Sequence, residues 1–287
     1  MNLKTDSFPV KKHWLSAGVK IIPANTKIFS KASLSDARKK FLAGDNQLTA
    51  IRAWMEGADL IKKKGRQYEL THVGRSIAVH DPEFNSAFSW WLVHLHLSAS
   101  GAFPYSALFT SFDVDGSWMP ATEVLDGLCS FSDAQGYELT AGTIDSYFTG
   151  VDASFRPGQM LYMLGLIERR KTRQNGATVW LLRRACVRPC RELIVYTALL
   201  LHRRNFHGQE TVRTPDMLDC GFAKILGMRD SDLRDQLSEM RHDSACSSYI
   251  EYTRKQDLDS IHFRKQGNAP LGDLREYCYT AGAVKWK

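Results

Sequence analysis

The sequence lacks any apolar run long enough to span a bilayer. Its most apolar segments, AFSWWLVHLHL and LIVYTALLL, are shorter than a membrane-spanning helix, and His94 and His96 interrupt the first. The opening residues, MNLKTDSFPVKKHW, lack the continuous apolar stretch of a secretory signal. Cysteine is scarce as well, because only 6 are scattered over 287 residues, which is typical of reduced thiols. We therefore expect a cytoplasmic protein without a membrane partner.

The common catalytic motifs are absent too. The sequence has no Walker-type glycine loop, no Gly-x-Ser-x-Gly nucleophile elbow and no two cysteine pairs with zinc-ribbon spacing. The nearest approach to a metal-dependent nuclease is Asp243 and Glu251 followed by Lys255. The spacing from Glu251 to Lys255 is too long for neighbours on one strand face, so ordinary surface charges are the favoured interpretation. The sequence thus leaves the catalytic residues and any metal ligands unassigned.

Positive charge is in moderate excess. The chain has 38 Lys and Arg against 31 Asp and Glu, a formal net charge of +7 and a pI near 9.1. Such a balance permits a polyanionic partner such as DNA without requiring one. A basic enzyme with no nucleic-acid partner stays open on charge alone.

The segment from residue 33 to residue 71 has the order helix, tight turn, helix and basic hairpin. Leu48, Ile51, Met55 and Ala58 recur at spacings of three and four, which predicts one buried helix face over residues 45–58, with Ala53 largely on the opposite face. The sequence LIKKKGRQYELT predicts two short strands around a glycine. This order is typical of a winged helix-turn-helix, which favours double-stranded DNA as a partner, whereas a protein-docking module is the alternative.

A similar order of elements occurs about a hundred residues later. LGLIERRKTRQNGATVWLL parallels ADLIKKKGRQYELT and contains an Asn-Gly turn, and the preceding TAGTIDSYFTGV predicts a helix that buries Ile144 and Phe148. Two winged-helix-like units are the favoured interpretation, although chance similarity remains an alternative. Polar residues of the first unit suit base edges and the cations of both units suit phosphates. The predicted DNA-binding residues are Lys39, Lys40, Asn46, Gln47, Thr49, Arg52, Lys62, Lys63, Lys64, Arg66, Arg169, Arg170, Lys171 and Arg173.

The remaining patterns predict the fold class. We expect a mainly α protein with short β-hairpins, in which an N-terminal winged helix-turn-helix is followed by a helical region containing further winged-helix-like units. The predicted domains are residues 1–80, 81–190 and 191–287, the second with a core helix around Trp90 and Trp91. Residues 1–30 show few helix signals, so we expect them to wrap the first domain as irregular chain.

Three groups of residues in the first third of the chain resemble the SspB proteins, a family encoded in bacterial DNA phosphorothioation operons. The resemblance covers about residues 8 to 97 and includes an N-terminal Phe and Trp-Leu-x-x-Gly segment, an Ile-Arg-x-Trp helix end and a tryptophan-rich helix after Asp-Pro. The matching residues are Phe8, Trp14, Leu15 and Gly18; Ile51, Arg52 and Trp54; and Asp81, Pro82, Trp91, Leu92, His94 and Leu97.

The resemblance implies a DNA-nicking endonuclease that supports sulfur modification of DNA in an antiviral defence system. It implies Mg²⁺ or Mn²⁺ as the cofactor of such a nuclease. The implied partners are a cysteine desulfurase, an ATPase and a sulfur-transfer protein. A non-catalytic DNA-binding adaptor or regulator of the same machinery is the alternative, and the oligomeric state, a dimer among the options, stays open.

Overall fold

The computed structural model describes residues 2–174, 177–256 and 258–286. The fold is mainly α-helical with short β-hairpins, which confirms the predicted fold class. The helices are α1 (Lys12–Ile21), α2 (Leu34–Phe41), α3 (Asp45–Gly57), α4 (His72–His80), α5 (Ala87–Ala99), α6 (Tyr105–Thr110), α7 (Ala121–Ala134), α8 (Ala141–Ser154), α9 (Arg191–Asn205), α10 (Thr214–Asp219), α11 (Phe222–Ile225), α12 (Asp230–Glu239), α13 (Ser244–Ser247) and α14 (Asn268–Thr280). The strands are β1 (Ile61–Lys64), β2 (Gln67–Leu70), β3 (Met119–Pro120), β4 (Ile167–Gln174), β5 (Ala177–Arg184), β6 (Thr211–Arg213), β7 (Ile250–Lys255) and β8 (Leu258–Phe263).

The chain divides into two compact units. Unit 1 comprises Met1–Leu108, Ser117–Arg183 and Trp286–Lys287. Unit 2 comprises Phe109–Gly116 and Arg184–Lys285. The division into three domains that the sequence suggests stays a prediction.

The first helix corrects one expectation from the sequence. Residues 12–21 form α1, whereas the sequence predicts irregular chain there. No side chain caps its first turn, so the usual start signal is missing. Burial of Trp14, Leu15 and Val19 stabilises the helix instead, and Phe8 contributes its backbone oxygen to the Trp54 indole N–H at 3.0 Å.

Helix α3 follows α2 after a left-handed residue, Leu42, with a φ of 51°. The Gln47 side-chain oxygen accepts the Gly44 N–H at 3.0 Å and so satisfies a donor at the start of α3. The predicted stripe of Leu48, Ile51, Met55 and Ala58 is buried, which confirms the helix face. The placement of Ala53 on the opposite, solvent face is wrong, because Ala53 is buried as well.

The predicted first hairpin is confirmed as the antiparallel pair β1 and β2, with Ile61 opposite Leu70 and Lys64 opposite Gln67. Gly65 adopts a φ of 62° in the turn, which glycine accommodates without steric cost. A Cβ on Gly74 in α4 would come 2.0 Å from the Leu60 carbonyl oxygen. Glycine therefore lets α4 pack directly against the chain that enters β1.

Helix α5 forms the core of unit 1. Trp90, Trp91, Leu92 and Leu95 are buried, as predicted. The Asp81 carboxylate accepts hydrogen bonds from the N–H groups of Asn85 and Ser86 and from the Ser89 hydroxyl, which offsets the cost of its burial.

The two histidines of α5 are core residues. His94 is buried and hydrogen-bonded to the Tyr105 hydroxyl at 2.8 Å. The His96 ring lies 3.2 Å from the Asp59 carboxylate and is also buried. The two imidazole rings that interrupt the apolar run are therefore buried beside polar side chains.

Two three-stranded sheets further along the chain share one strand order. In one sheet the strand order is β3-β5-β4, with α7 and α8 between β3 and β4. In another the order is β6-β8-β7, with α10 to α12 among the elements between β6 and β7. Winged-helix domains place strands and helices in this order, but the winged-helix interpretation stays a prediction. The predicted Asn-Gly turn at 175–176 lies outside the described residues.

Unit 2 has its core on α9, whose residues from Leu193 to His202 are all buried. Near the C-terminus, β7 and β8 form an antiparallel hairpin from Ile250 opposite Phe263 to Lys255 opposite Leu258. Throughout the described ranges, the structure contains no helix that is both long and apolar enough to cross a membrane.

Candidate nucleic-acid interface

The hairpin of β1 and β2 presents an exposed basic surface. Ile61 is buried and anchors β1, whereas Lys62, Lys63, Lys64 and Arg66 are all exposed. Among the residues that the structure describes, the carboxylate paired with them is that of Glu69, 3.1 Å from the Lys64 ammonium. We call these four residues the wing cations. Their positions near the tip of the hairpin suit contact with phosphates, which adds affinity and salt dependence.

The face of α3 that was predicted to contact bases is only partly available. Asn46 is exposed, but the Gln47 side chain caps α3 and the Thr49 hydroxyl donates to the Asp45 carbonyl at 3.3 Å. Arg52 is half-buried, and its guanidinium lies near the Tyr68 hydroxyl on β2. Arg52 therefore connects α3 to the hairpin as well as facing outward.

Glu56 also lies near the Tyr68 hydroxyl, so two charged side chains of α3 flank one phenol of β2. Burial of the ring, and then the nearby Glu56 carboxylate, raise the pKa of Tyr68. Tyr68 thus places β2 beside the charged side chains of α3.

Helix α2 adds further cations. Lys39 and Lys40 are exposed, and the Lys40 ammonium lies 3.1 Å from the Asp36 carboxylate one turn earlier. The Arg38 guanidinium donates to both oxygens of Asp45, at 2.7 and 2.5 Å, and thereby joins α2 to the start of α3. This pairing lowers the pKa of the Asp45 carboxyl. The sequence patterns did not single out this Arg38–Asp45 pair, although a basic and an acidic residue flanking a tight turn was an available signal.

In the second hairpin, formed by β4 and β5, the first cation, Arg169, is bound by internal partners. The Arg169 guanidinium binds the Asp152 carboxylate, and it donates to the Asp152 and Phe155 carbonyls at 2.9 and 3.3 Å. The two side chains are only 11% and 10% exposed. Arg169 is thus committed to internal partners, and we do not include it among the surface cations that could contact a phosphate.

Two other cations of β4, Arg170 and Lys171, lie on aromatic rings on two faces of the sheet. The Arg170 guanidinium lies 4.4 Å from the centre of the Trp118 ring, whose other neighbour is Arg183 at 4.8 Å. The Lys171 ammonium lies 4.9 Å from the centre of the Trp180 ring. Because side chains alternate along a strand, Arg170 belongs to one face and Lys171, with Arg169, to the other.

Arg173 is exposed farther along β4. The two tryptophans were not predicted, although Trp180 lies in a strand next to a basic one. It is 49% exposed, which is unusual for a tryptophan.

A cleft of about 580 Å³ opens beside Trp180 within unit 1. Its wall is formed by the start of α7, the end of α8 and one face of β5. Volumes in this range are typical of small-molecule sites. The residues that line it are Pro120, Ala121, Thr122, Asp152, Arg156, Pro157, Arg169, Thr178, Val179, Trp180 and Leu182.

The carboxylates that came nearest to a nuclease pattern have structural partners. Asp243 caps α13 by accepting the N–H groups of Ala245 and Cys246, and it binds Arg191 at 3.1 Å. These hydrogen bonds, led by that from Cys246, lower the pKa of Asp243. Glu251 pairs with Arg264 at 2.7 Å, and Lys255 is exposed at the end of β7.

Neither Asp243 nor Glu251 belongs to a cluster of metal-ligating side chains. Within the part of the chain that the structure describes, no three His, Cys, Asp or Glu side chains come together in a group able to hold a metal ion. Because Mg²⁺ is commonly held by one or two carboxylates together with waters and phosphates, this observation concerns only a site built from three side chains.

Comparison with known proteins gives one family and two solved structures. The family model of DUF4007, described as a protein of unknown function, matches residues 4–149. Two crystal structures of SspB, one with magnesium ion bound, each have a TM-score of 0.76 to this chain at 16% identity, covering 96% of it and 87% of the SspB chain. No curated protein matches the chain. The resemblance to SspB is thereby confirmed at the level of the fold.

Proposed function

Because the chain belongs to the DUF4007 family, we propose that it is a DNA-binding protein of a bacterial phosphorothioation system, acting as SspB-like proteins do. The premise is the SspB fold over 96% of the chain. The link to phosphorothioation comes from the resemblance of residues 8–97, in particular the Trp14, Trp54 and Trp91 motifs. Double-stranded DNA is the proposed primary partner.

The observation that carries the proposal is the set of wing cations. Lys62, Lys63 and Lys64 are consecutive and exposed, and one carboxylate, Glu69, lies against them. A duplex neutralised by such residues releases condensed counterions, so its affinity depends strongly on salt. Asn46 and Arg52 on the adjoining α3 then supply groups that can reach base edges.

The finer proposal is that the protein nicks one DNA strand so that the modification machinery can exchange oxygen for sulfur. A cysteine desulfurase, an ATPase and a sulfur-transfer protein are its proposed partners, in antiviral defence. Since the side chains of the described residues do not assemble a three-ligand metal group, we assign no catalytic step to a metal ion. The alternative is a non-catalytic adaptor that binds DNA and places these partners.

DNA binding is tested by the salt dependence of duplex affinity, measured by fluorescence anisotropy. Replacing Lys62, Lys63 and Lys64 with Ala should lower the slope of log affinity against log salt by up to about 2.7, because each phosphate contact contributes about 0.9. A matched control replaces Lys255 and Lys265, exposed lysines of unit 2, and should leave the slope nearly unchanged. An unchanged slope in the triple variant would mean that the wing contacts protein instead.

Nicking is separated from the adaptor role by conversion of supercoiled plasmid to open circles with Mg²⁺, Mn²⁺ or a chelator. The panel replaces each exposed or half-buried Asp and Glu with its amide, beginning with Asp243→Asn and Glu251→Gln. A nickase loses conversion in at least one variant that still binds duplex. If no amide variant affects conversion by a clean preparation, the adaptor role stands.

A further inference from the structure

The cleft beside Trp180 combines a flat aromatic wall with apolar neighbours. Trp180 is 49% exposed although it lies in a sheet strand, so one side of its ring borders the cleft. Pro120, Pro157 and Leu182 supply further apolar surface. A half-exposed indole next to prolines favours a flat ring as the occupant, because ring stacking recovers the apolar surface that water otherwise covers.

The charges around the cleft favour an anion. Asp152 is shared by Arg156, at 2.9 Å, and by Arg169, so two guanidinium groups are opposed by one carboxylate. Arg156 is 57% exposed and can reorient toward a ligand, whereas Arg169 is fixed. The Lys171 ammonium, 4.9 Å from the Trp180 ring centre, adds another cation beside the cleft, although Lys171 does not line it. The occupant should therefore carry negative charge next to a flat ring.

We propose that this cleft binds an unstacked base of a single-stranded or locally opened DNA strand. The base stacks on Trp180, and the adjoining phosphate meets Arg156 and Lys171. This inference deepens the proposed function and rests on it. Proteins that hold single strands combine aromatic stacking with cations along the backbone in this way, and stacking tolerates any base because each has a π face.

The two hairpins then have different roles on the same DNA. The wing cations can contact phosphates of an intact duplex, because a phosphate is reached from outside. A base inside a duplex is stacked on both sides and cannot reach an indole, so the cleft engages DNA only where a base is unpaired. A strand end that frays at a nick supplies such a base.

The test compares a fully paired duplex with the same duplex carrying one unpaired thymine, and with oligothymidine, by fluorescence anisotropy. Trp180→Ala should weaken binding to the last two by about tenfold and leave the paired duplex unchanged, because stacking contributes on this scale. Trp180→Phe should retain most of the affinity, since a smaller ring still stacks. Arg156→Ala should lower the salt slope on oligothymidine by about 0.7.

Tyr162→Ala is the matched control, because Tyr162 is an exposed aromatic of unit 1 that does not line the cleft. It should change none of the three affinities. The thermal midpoint of each variant checks folding, and Trp180→Phe guards against a loss that comes from misfolding of the Ala variant. A photoreactive 5-iodouracil placed as the unpaired base should cross-link to the peptide containing Trp180.

The outcomes separate this inference from the proposed function. Loss of paired-duplex binding in the triple lysine variant, with the Trp180 effects above, supports both. If the triple variant behaves as expected but Trp180→Ala binds every DNA normally, the cleft inference is overturned and duplex binding survives. If Trp180→Ala binds oligothymidine normally but loses affinity for polyglutamate, an acidic peptide is the occupant and base stacking is wrong. Protein that binds no DNA overturns both proposals.

Discussion

The two basic hairpins share a sequence pattern but use their cations in different ways. In the hairpin of β1 and β2, Lys62, Lys63 and Arg66 project into solvent. In the hairpin of β4 and β5, Arg169 is bound inside the unit and Lys171 lies on an indole ring. The first hairpin offers bare charge, whereas the second offers charge combined with aromatic surface.

The helices that precede the two hairpins also differ in their charged residues. Helix α3 carries Arg52 and exposes Asn46, whereas α8 has the sequence AGTIDSYFTGVDAS and contains no Lys or Arg. The Asp152 carboxylate near the end of α8 is the reason that Arg169 turns inward. The cation that meets a carboxylate of the preceding helix turns inward, whereas Lys62, Lys63 and Arg66 of the first hairpin stay exposed. The difference teaches that the count of cations in a segment does not predict how many of them are available.

The largest expected effect is on stability and follows from Arg169. Arg169→Ala removes a guanidinium that is 11% exposed and leaves the Asp152 carboxylate short of one partner. We expect the free energy of unfolding to fall by about 3 kcal/mol, because breaking a buried ion pair leaves an undercompensated charge. Denaturant unfolding followed by circular dichroism measures it.

Arg66→Ala in the other hairpin is the matched variant. Arg66 is exposed, so we expect a change within about 0.5 kcal/mol. Equal losses in the two variants would contradict the distinction between a buried and a bare cation. A small loss in Arg169→Ala alone would mean that Arg156 satisfies Asp152 by itself.

The next effect concerns sequence preference and Arg52. Arg52→Ala should relax the preference of the protein for its favoured site, with a loss on the order of 1–3 kcal/mol there if Arg52 contacts a guanine. Competition between the favoured site and random duplex, measured by fluorescence anisotropy, gives the ratio. Equal weakening on all sequences would contradict base contact by Arg52.

Tyr68→Phe serves as the control for Arg52. It removes the hydroxyl that lies near Arg52 and Glu56 but keeps both charged groups. If Arg52 mainly braces the hairpin, this variant should reproduce the effects of Arg52→Ala. If Arg52 contacts a base, the preference should survive in Tyr68→Phe.

Local patterns predicted the elements that carry these residues. Leu48, Ile51 and Met55 recur at helical spacing, and a lysine run interrupted by Gly65 indicates a turn, so α3 and the first hairpin follow from the sequence. The core helix α5 follows from its apolar run, with His94 and His96 buried in it. Helix α1 was missed because no side chain caps it, and its packing depends on residues distant in the sequence, such as Met55, whose side chain lies against Gly18.

The partners of surface cations could not be predicted from the sequence. The inward orientation of Arg169 depends on Asp152, which is 17 residues away. The cleft forms from α7, α8 and β5, which only the tertiary structure brings together. Pattern and propensity predict local elements, whereas the available charge of a surface depends on which carboxylates and rings the fold places beside it.

The smallest expected effect concerns Glu69, whose carboxylate is paired with one of the wing cations. Glu69 is paired with Lys64 at 3.1 Å on an exposed surface, so Glu69→Gln should change stability by less than about 0.5 kcal/mol. The same variant should strengthen duplex binding a few-fold at low salt, because Lys64 is released and a negative charge is removed.

Glu168→Gln is the matched change in the second hairpin, where Glu168 pairs with Arg183 at 2.7 Å. Arg183 stays against the Trp118 ring in that variant, so duplex affinity should rise less. Equal gains from the two variants, in anisotropy titrations over a range of salt, would mean that the two hairpins present their cations to DNA alike.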